Sequence, residues 1–267
     1  MNYLWILLAV SLAASAVGWI YFIYFFSIGY GLAIAAIATA TAIIFTDTFT
    51  PPTTIFCATL FIYGIRLATY LFLREKKSTT YKKILYQPSI TQRKPLPAMF
   101  AIWISCALLY IGQTSPFTFY LYNLETRAET NEVWAWIGAI IAIIGFATET
   151  IADAQKSTAK RKNPQQFVST GLYRIVRYPN YLGEILLWTG SFTICIGADC
   201  TAWQWAIATL GYIGILYVMF SGARRLELRQ QETYGNDAGF IAYSRKRPLL
   251  IPLLPIYSLT KLKWLKA

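Results

Sequence analysis

The chain contains no histidine. That removes the usual general base near neutral pH and the commonest metal ligand. Its four cysteines, Cys57, Cys106, Cys195 and Cys200, form no CxxC or similar ligand pair. Three of them sit in apolar runs, where cysteine serves as a small hydrophobe. Cys195 and Cys200 are spaced to permit a bridge on an outer face, although nothing in the sequence demands one. Charge is also scarce. Only 13% of the 267 residues are charged, against about 25% in an ordinary soluble domain. There is no Walker loop. Gly29-Tyr30-Gly31 lies in an apolar run with no strand before it, which excludes a Rossmann fingerprint.

What remains is hydrophobic: 56% of the residues are apolar or aromatic. From Tyr3 to Thr46 the only ionisable side chains are tyrosines. That run is about twice the roughly 20 residues needed to cross a bilayer, so it reads as two helices. Met1-Asn2 offers no positive segment before it, and the run is too long for a cleaved leader. Apolar stretches predict helices over about 3–25, 29–46, 53–73, 98–113, 133–152, 181–197 and 201–221. An aromatic stretch at 114–122, with Pro116, reads as an interfacial belt.

The net charge of +12 might suggest nucleic acid, but its placement points elsewhere. Of 24 Lys and Arg residues, seven fall in 74–97, six in 152–180 and nine in 221–267. Asp47, Glu125, Glu129, Glu132 and Asp199 fall in the alternate connections. This is the positive-inside asymmetry. It predicts an all-α polytopic membrane protein of about seven transmembrane helices, N-terminus outside and C-terminus cytoplasmic. A bacterial inner membrane is favoured, with the endoplasmic reticulum as the alternative. Expected partners are membrane lipids, with no nucleic acid, and the chain is expected to act as a monomer. Residues 1–97 carry helices 1–3 and the first basic loop, and 98–267 carry helices 4–7 with their loops and tail.

Ionisable groups inside a membrane are expensive, by about 2.5–3.5 kcal/mol on insertion scales, and so are functional candidates. Arg66, Glu149, Asp153 and Glu184 qualify. Glu149 and Asp153 share a helix face at i, i+4. Asn180 precedes Glu184 by one turn. The loop ahead of them carries Arg174 and Arg177, planar donors suited to phosphate, and Arg224 and Arg225 lie downstream. Cations, an amide and carboxylates at one membrane surface suit a soluble anionic cofactor. The plain alternative is that the cations bind lipid phosphates and fix topology.

The stretch Gly171-Leu-Tyr-Arg-Ile-Val-Arg-Tyr-Pro-Asn-Tyr-Leu-Gly-Glu-Ile-Leu-Leu-Trp188 resembles the signature of the steroid 5α-reductase superfamily. It is most similar to the bacterial membrane proteins with the steroid-dehydrogenase-type C-terminal domain. Asp153-Ala-Gln-Lys156 and Tyr243-Ser-Arg-Lys-Arg-Pro-Leu-Leu-Ile-Pro252 match in order and spacing. The resemblance implies NADPH-dependent reduction of a carbonyl-conjugated C=C bond in a sterol-like or other lipid. It implies cofactor contacts at Asp153, Asn180, Tyr181, Glu184 and Arg224, with Arg174, Arg177 and Tyr243 as further matches. Tyr63, three residues before Arg66, would hydrogen-bond the substrate carbonyl, and Arg66 would orient the site. The family usually has histidine at Tyr178 and an N-terminal glutamate beside the tyrosine; this chain has neither. The alternatives are an S-adenosylmethionine-dependent membrane methyltransferase of the isoprenylcysteine or phospholipid type, and a non-catalytic lipid-binding protein.

Overall fold

The structure is a computed structural model, and it describes residues 2–77, 95–127 and 130–265. Eight α-helices follow in chain order among these residues: α1 Asn2–Ser15, α2 Ile28–Ile44, α3 Pro51–Lys77, α4 Leu96–Arg127, α5 Glu132–Lys162, α6 Pro179–Ile196, α7 Ala202–Tyr234 and α8 Ala238–Lys246. Short 3₁₀ turns join several of them, and no strand occurs among the described residues. Asn2–Trp19, Pro51–Lys76, Leu96–Thr126, Glu132–Lys162 and Ala202–Tyr234 are each long and apolar enough to cross a bilayer. The apolar α2 is shorter, at 17 residues. The protein is therefore an all-helical integral membrane protein. Lys82, Lys83, Arg93 and Lys94 of the first basic loop lie outside the described residues.

The chain divides into two compact units, Met1–Ala139 with Ser191–Tyr212, and Ile140–Gly190 with Ile213–Ala267. Within the first, α2 packs along α3. Gly31 and Gly64 make this possible: a Cβ on Gly31 would lie 2.7 Å from Gly64 O, and one on Gly64 2.5 Å from Gly31 O. With Ala35 and Ala68 one turn on, this is a small-residue crossing in which backbones nearly touch.

The expected first helix, 3–25, is interrupted. It stops at Ser15, and two 3₁₀ turns, Ala16–Trp19 and Phe22–Phe26, carry the chain round. Trp103 Nε1 donates to Leu12 O and Ser15 Oγ, each at 3.1 Å, and so occupies acceptors at the end of α1. Trp19 packs edge-on against Phe25, Phe100 and Trp103. Gly18 is needed there, since a Cβ would fall 2.0 Å from the Phe25 ring.

The expected helix 98–113 and its aromatic belt form one helix, α4, running through Pro116. A proline leaves the carbonyl four residues back without its N–H partner. Ser115 Oγ donates to that carbonyl, Gly112 O, at 2.8 Å. Such local replacement lets a membrane helix carry proline. The helix α5 also runs ten residues past its expected end at 152. Its polar extension is rich in Ala, Lys, Gln and Arg, all good helix formers. Lys160, Arg161 and Lys162 oppose the negative end of the helix dipole.

Candidate functional site

In the first unit, Tyr63 sits on α3 beside Gly64, and Tyr30 sits on α2 beside Gly31. The close helix crossing thus brings two tyrosines together. Tyr63 is fully buried, and its hydroxyl donates to Tyr30 Oη at 3.4 Å. Tyr30 in turn packs against Tyr110, ring centroids 5.1 Å apart, and Tyr110 donates its hydroxyl to Phe25 O. Arg66, one turn along α3, is half-buried, with its guanidinium 5.2 Å from the centre of the Tyr70 ring. The sequence reading found Tyr63 and Arg66 but missed Tyr30. A tyrosine before a glycine in an apolar run gave no local signal, because its partner lies 33 residues away.

In the second unit, α5 and α6 touch through a second glycine pair. A Cβ on Gly145 would lie 2.4 Å from Leu187 N; one on Gly183 would lie 2.5 Å from Glu149 N. Near this contact Glu149 and Asp153 of α5 and Glu184 of α6 are all buried. Asn180 and Tyr181, both half-buried, occupy the first turn of α6, which Pro179 opens. Tyr181 lies over Gly222 of α7, where a Cβ would meet its ring at 3.1 Å. Among the described residues, no three His, Cys, Asp or Glu side chains are grouped to hold a metal ion.

The segment before α6 is locked by local bonds. Gly171 takes φ +63°, with the Gln155 amide packed where a Cβ would be, and Gln155 Oε1 accepts from Leu172 N at 2.9 Å. The 3₁₀ turn Gly171–Arg174 then leaves Arg174 exposed. Next to it, α5 and residues 163–171 enclose a groove of about 630 Å³ with Gln155, Thr158, Lys162, Asn163, Gln166 and Ser169 among its lining.

Arg177 sits differently. Its side chain is 1% exposed and pairs with Glu227 of α7 at 3.5 Å, while Nη1 also donates to Tyr257 O at 3.2 Å. Glu227 Oε2 accepts from Leu259 N at 2.8 Å. The guanidinium also lies over the Tyr178 and Phe240 rings. Arg177 therefore ties α7 and the tail to the start of α6. Even so, its Nε and Nη2 are buried with no protein hydrogen-bond partner, as is Arg224 Nε. Arg224 otherwise donates to Thr260 O and Leu265 O.

Tyr178, at the position where histidine was expected, donates to Gln230 Oε1 at 3.0 Å. Tyr243 donates to Tyr173 O at 2.8 Å. Burial pushes the Tyr243 phenol up to about 12, against the pull of Arg177 and Arg247. Burial raises Tyr178 as well, with Arg177 opposing. Both phenols stay protonated donors at neutral pH. Glu227 and Gln230, which anchor this network, had no role in the reductase reading of the sequence; an acid three residues after Arg224 in a basic stretch was the available signal.

Of the ten site residues named from the sequence, Tyr63 and Arg66 lie in the first unit. Asp153, Arg174, Arg177, Asn180, Tyr181, Glu184, Arg224 and Tyr243 lie in the second. A family model described as a protein of unknown function, DUF1295, matches residues 21–247. No curated protein and no solved structure matches the chain.

Proposed function

The chain belongs to the DUF1295 family, and we propose that it is an NADPH-dependent reductase of a carbonyl-conjugated C=C bond in a sterol-like or other lipid. The observation that carries this reading is in the second unit. Buried acids, Asp153 and Glu184, occur there with a buried arginine, Arg177, and a half-buried one, Arg224, whose protein partners leave nitrogens over. Buried polar groups are normally satisfied, so this donor and acceptor set fits a polar, anionic ligand such as a dinucleotide. Arg174 is exposed and able to meet phosphate. The carboxylates of Asp153 and Glu184 accept from hydroxyl or carboxamide donors, and Asn180 offers both kinds of contact. The resemblance of 171–188 to the reductase signature adds the identity of the ligand.

When bound, NADPH would supply a hydride for the β-carbon, and the α-carbon would take a proton from solvent. Tyr63 donates its hydroxyl proton in a hydrogen bond to the carbonyl oxygen as enolate charge develops there. To do so the single Tyr63 proton turns away from Tyr30 Oη, and Tyr30 then donates to Tyr63 Oη and orients that hydroxyl. Arg66 adds positive charge one turn away on the same helix.

Seven spans are part of the same reading, with the N-terminus outside and the tail cytoplasmic. The helices α2 and α6 have 17 and 18 residues, about 26 and 27 Å at about 1.5 Å per residue, close to a thin hydrocarbon core.

Thermal unfolding of the purified protein in detergent tests the cofactor. NADPH at 100 times its dissociation constant should stabilise the fold by about 2.7 kcal/mol, and NADH and S-adenosylmethionine should not. Stabilisation by S-adenosylmethionine instead would assign methyl transfer. No shift from any of the three, in protein that unfolds cooperatively, would leave a lipid-binding role without cofactor.

A further inference from the structure

The segment after α8 folds back onto α7 and encloses a second groove of about 750 Å³. One wall is Ile213, Leu216, Tyr217 and Phe220 of α7, spaced i, i+3, i+4, i+7, which makes one apolar helix face. The other wall is tail residues, Leu259, Leu262 and Leu265 among them, with Lys261 at the lining. Three bonds clamp the flap shut: Arg224 donates to Thr260 O and Leu265 O, and Tyr217 donates to Trp264 O at 3.2 Å. The Tyr217 and Trp264 rings stack at 24°. Of the groove's lining, the flap exposes Lys261, Leu262 and Trp264, and Lys263 between them in sequence is exposed as well.

An apolar slot against a membrane helix, lined in part by an exposed tryptophan and a lysine, with a second exposed lysine two residues on in the sequence, matches one kind of molecule. Trp favours the membrane–water interface. Lysines there attract anionic headgroups. We propose that this groove is a binding site for one anionic phospholipid, an acyl chain lying along the α7 face and the phosphate resting on Lys261 and Lys263. The lipid is held there as a ligand and not turned over, so the site stands whether or not the protein is a reductase. Zwitterionic phospholipid has the same acyl chains but no net charge, and so distinguishes a headgroup-selective site from ordinary annular lipid. Each lysine beside an anionic surface is worth about fivefold in affinity, so two give a selectivity on the order of tenfold or more.

The test uses the full chain in detergent with phosphatidylglycerol carrying a diazirine in its acyl chain. After illumination, peptide mapping should place adducts on 213–220 and 256–265. Unlabelled phosphatidylglycerol should compete at least tenfold better than phosphatidylcholine with the same chains. In Lys261→Glu/Lys263→Glu, both surface changes, that preference should vanish while labelling by the acyl chain persists. Adducts confined to other helices, or equal competition by the two lipids, overturn the proposal. The labelling of the unaltered protein decides the site even if the variant fails to fold.

Discussion

At the scale of single residues, the Arg177–Glu227 pair carries the largest expected effect on stability. Both side chains are 1% exposed. Removing one partner of such a pair leaves a buried charge uncompensated, which costs about 3–5 kcal/mol, whereas replacing both with apolar groups is often neutral. Arg177→Met should therefore lower the unfolding temperature sharply, and Arg177→Met/Glu227→Met should recover most of the loss. A double variant no better than the single one would show that the carbonyl and ring contacts of Arg177 matter more than its charge pair. Tyr63→Phe should leave the NADPH-induced thermal shift intact and lower turnover by about 10²-fold, the size expected for one lost oxyanion donor. Tyr30→Phe should give a smaller loss with the same pattern. The phenol of Tyr243 makes a pH prediction with a definite sign. Its folded pKa, about 12, lies above the ordinary value of 10.0. From pH 10 upward the unfolded chain gives up this proton first, so stability is full below pH 10. It falls toward pH 12 by up to about 1.4 kcal/mol per pH unit. Tyr243→Phe should flatten part of that fall in pH-resolved melting curves; an unchanged slope would assign the loss to other groups.

At the scale of elements, the two glycine crossings do most of the positioning. In Gly183→Ala the new Cβ would meet Glu149 N at 2.5 Å, and backbone cannot yield as a side-chain tip can. The helices must separate, at about 1–3 kcal/mol for overpacking. The NADPH-induced shift should weaken with it; a stable variant with full NADPH response would remove the α5–α6 contact from the cofactor site. How far these elements could be read in advance follows the range of the forces involved. Hydropathy located every long apolar helix, because bilayer thickness acts on local composition. It misjudged the ends. The stop at Ser15 depends on Trp103, 88 residues away, and the passage of α4 through Pro116 depends on Ser115 replacing a lost bond. The extension of α5 past 152 was present in its Ala, Lys and Arg content but was outweighed by its polarity. The same division holds for the site. Asp153, Asn180 and Glu184 were visible as polar groups in or beside apolar runs, while the burial of Arg177 under the tail was not, since its partners come from α7 and from residues near 257.

At the scale of the whole chain, the proposed seven crossings can be compared with which ends meet. Arg177 N and Tyr178 N donate to Pro248 O and Leu249 O, each at 2.9 Å. The chain entering α6 and the chain leaving α7 are therefore on one side of the membrane. If α7 crosses, α6 crosses in the opposite sense. The same reasoning applies at the other end. Tyr24, just before α2, donates to Glu75 near the end of α3 at 2.5 Å, so α2 crosses if α3 does. The proposed seven-span topology thus has both short helices join the five long ones, with the basic stretches at 152–180 and 221–267 on one side, which the positive-inside rule would make cytoplasmic. Single cysteines in a Cys200→Ser background, the other three being buried, can test this with a membrane-impermeant maleimide. Asp47→Cys should label in intact cells, and Gln165→Cys and Ser244→Cys only after permeabilisation. Five spans would instead place Gln165 and Ser244 on opposite sides, so labelling of one but not the other in intact cells would sink the seven-span topology.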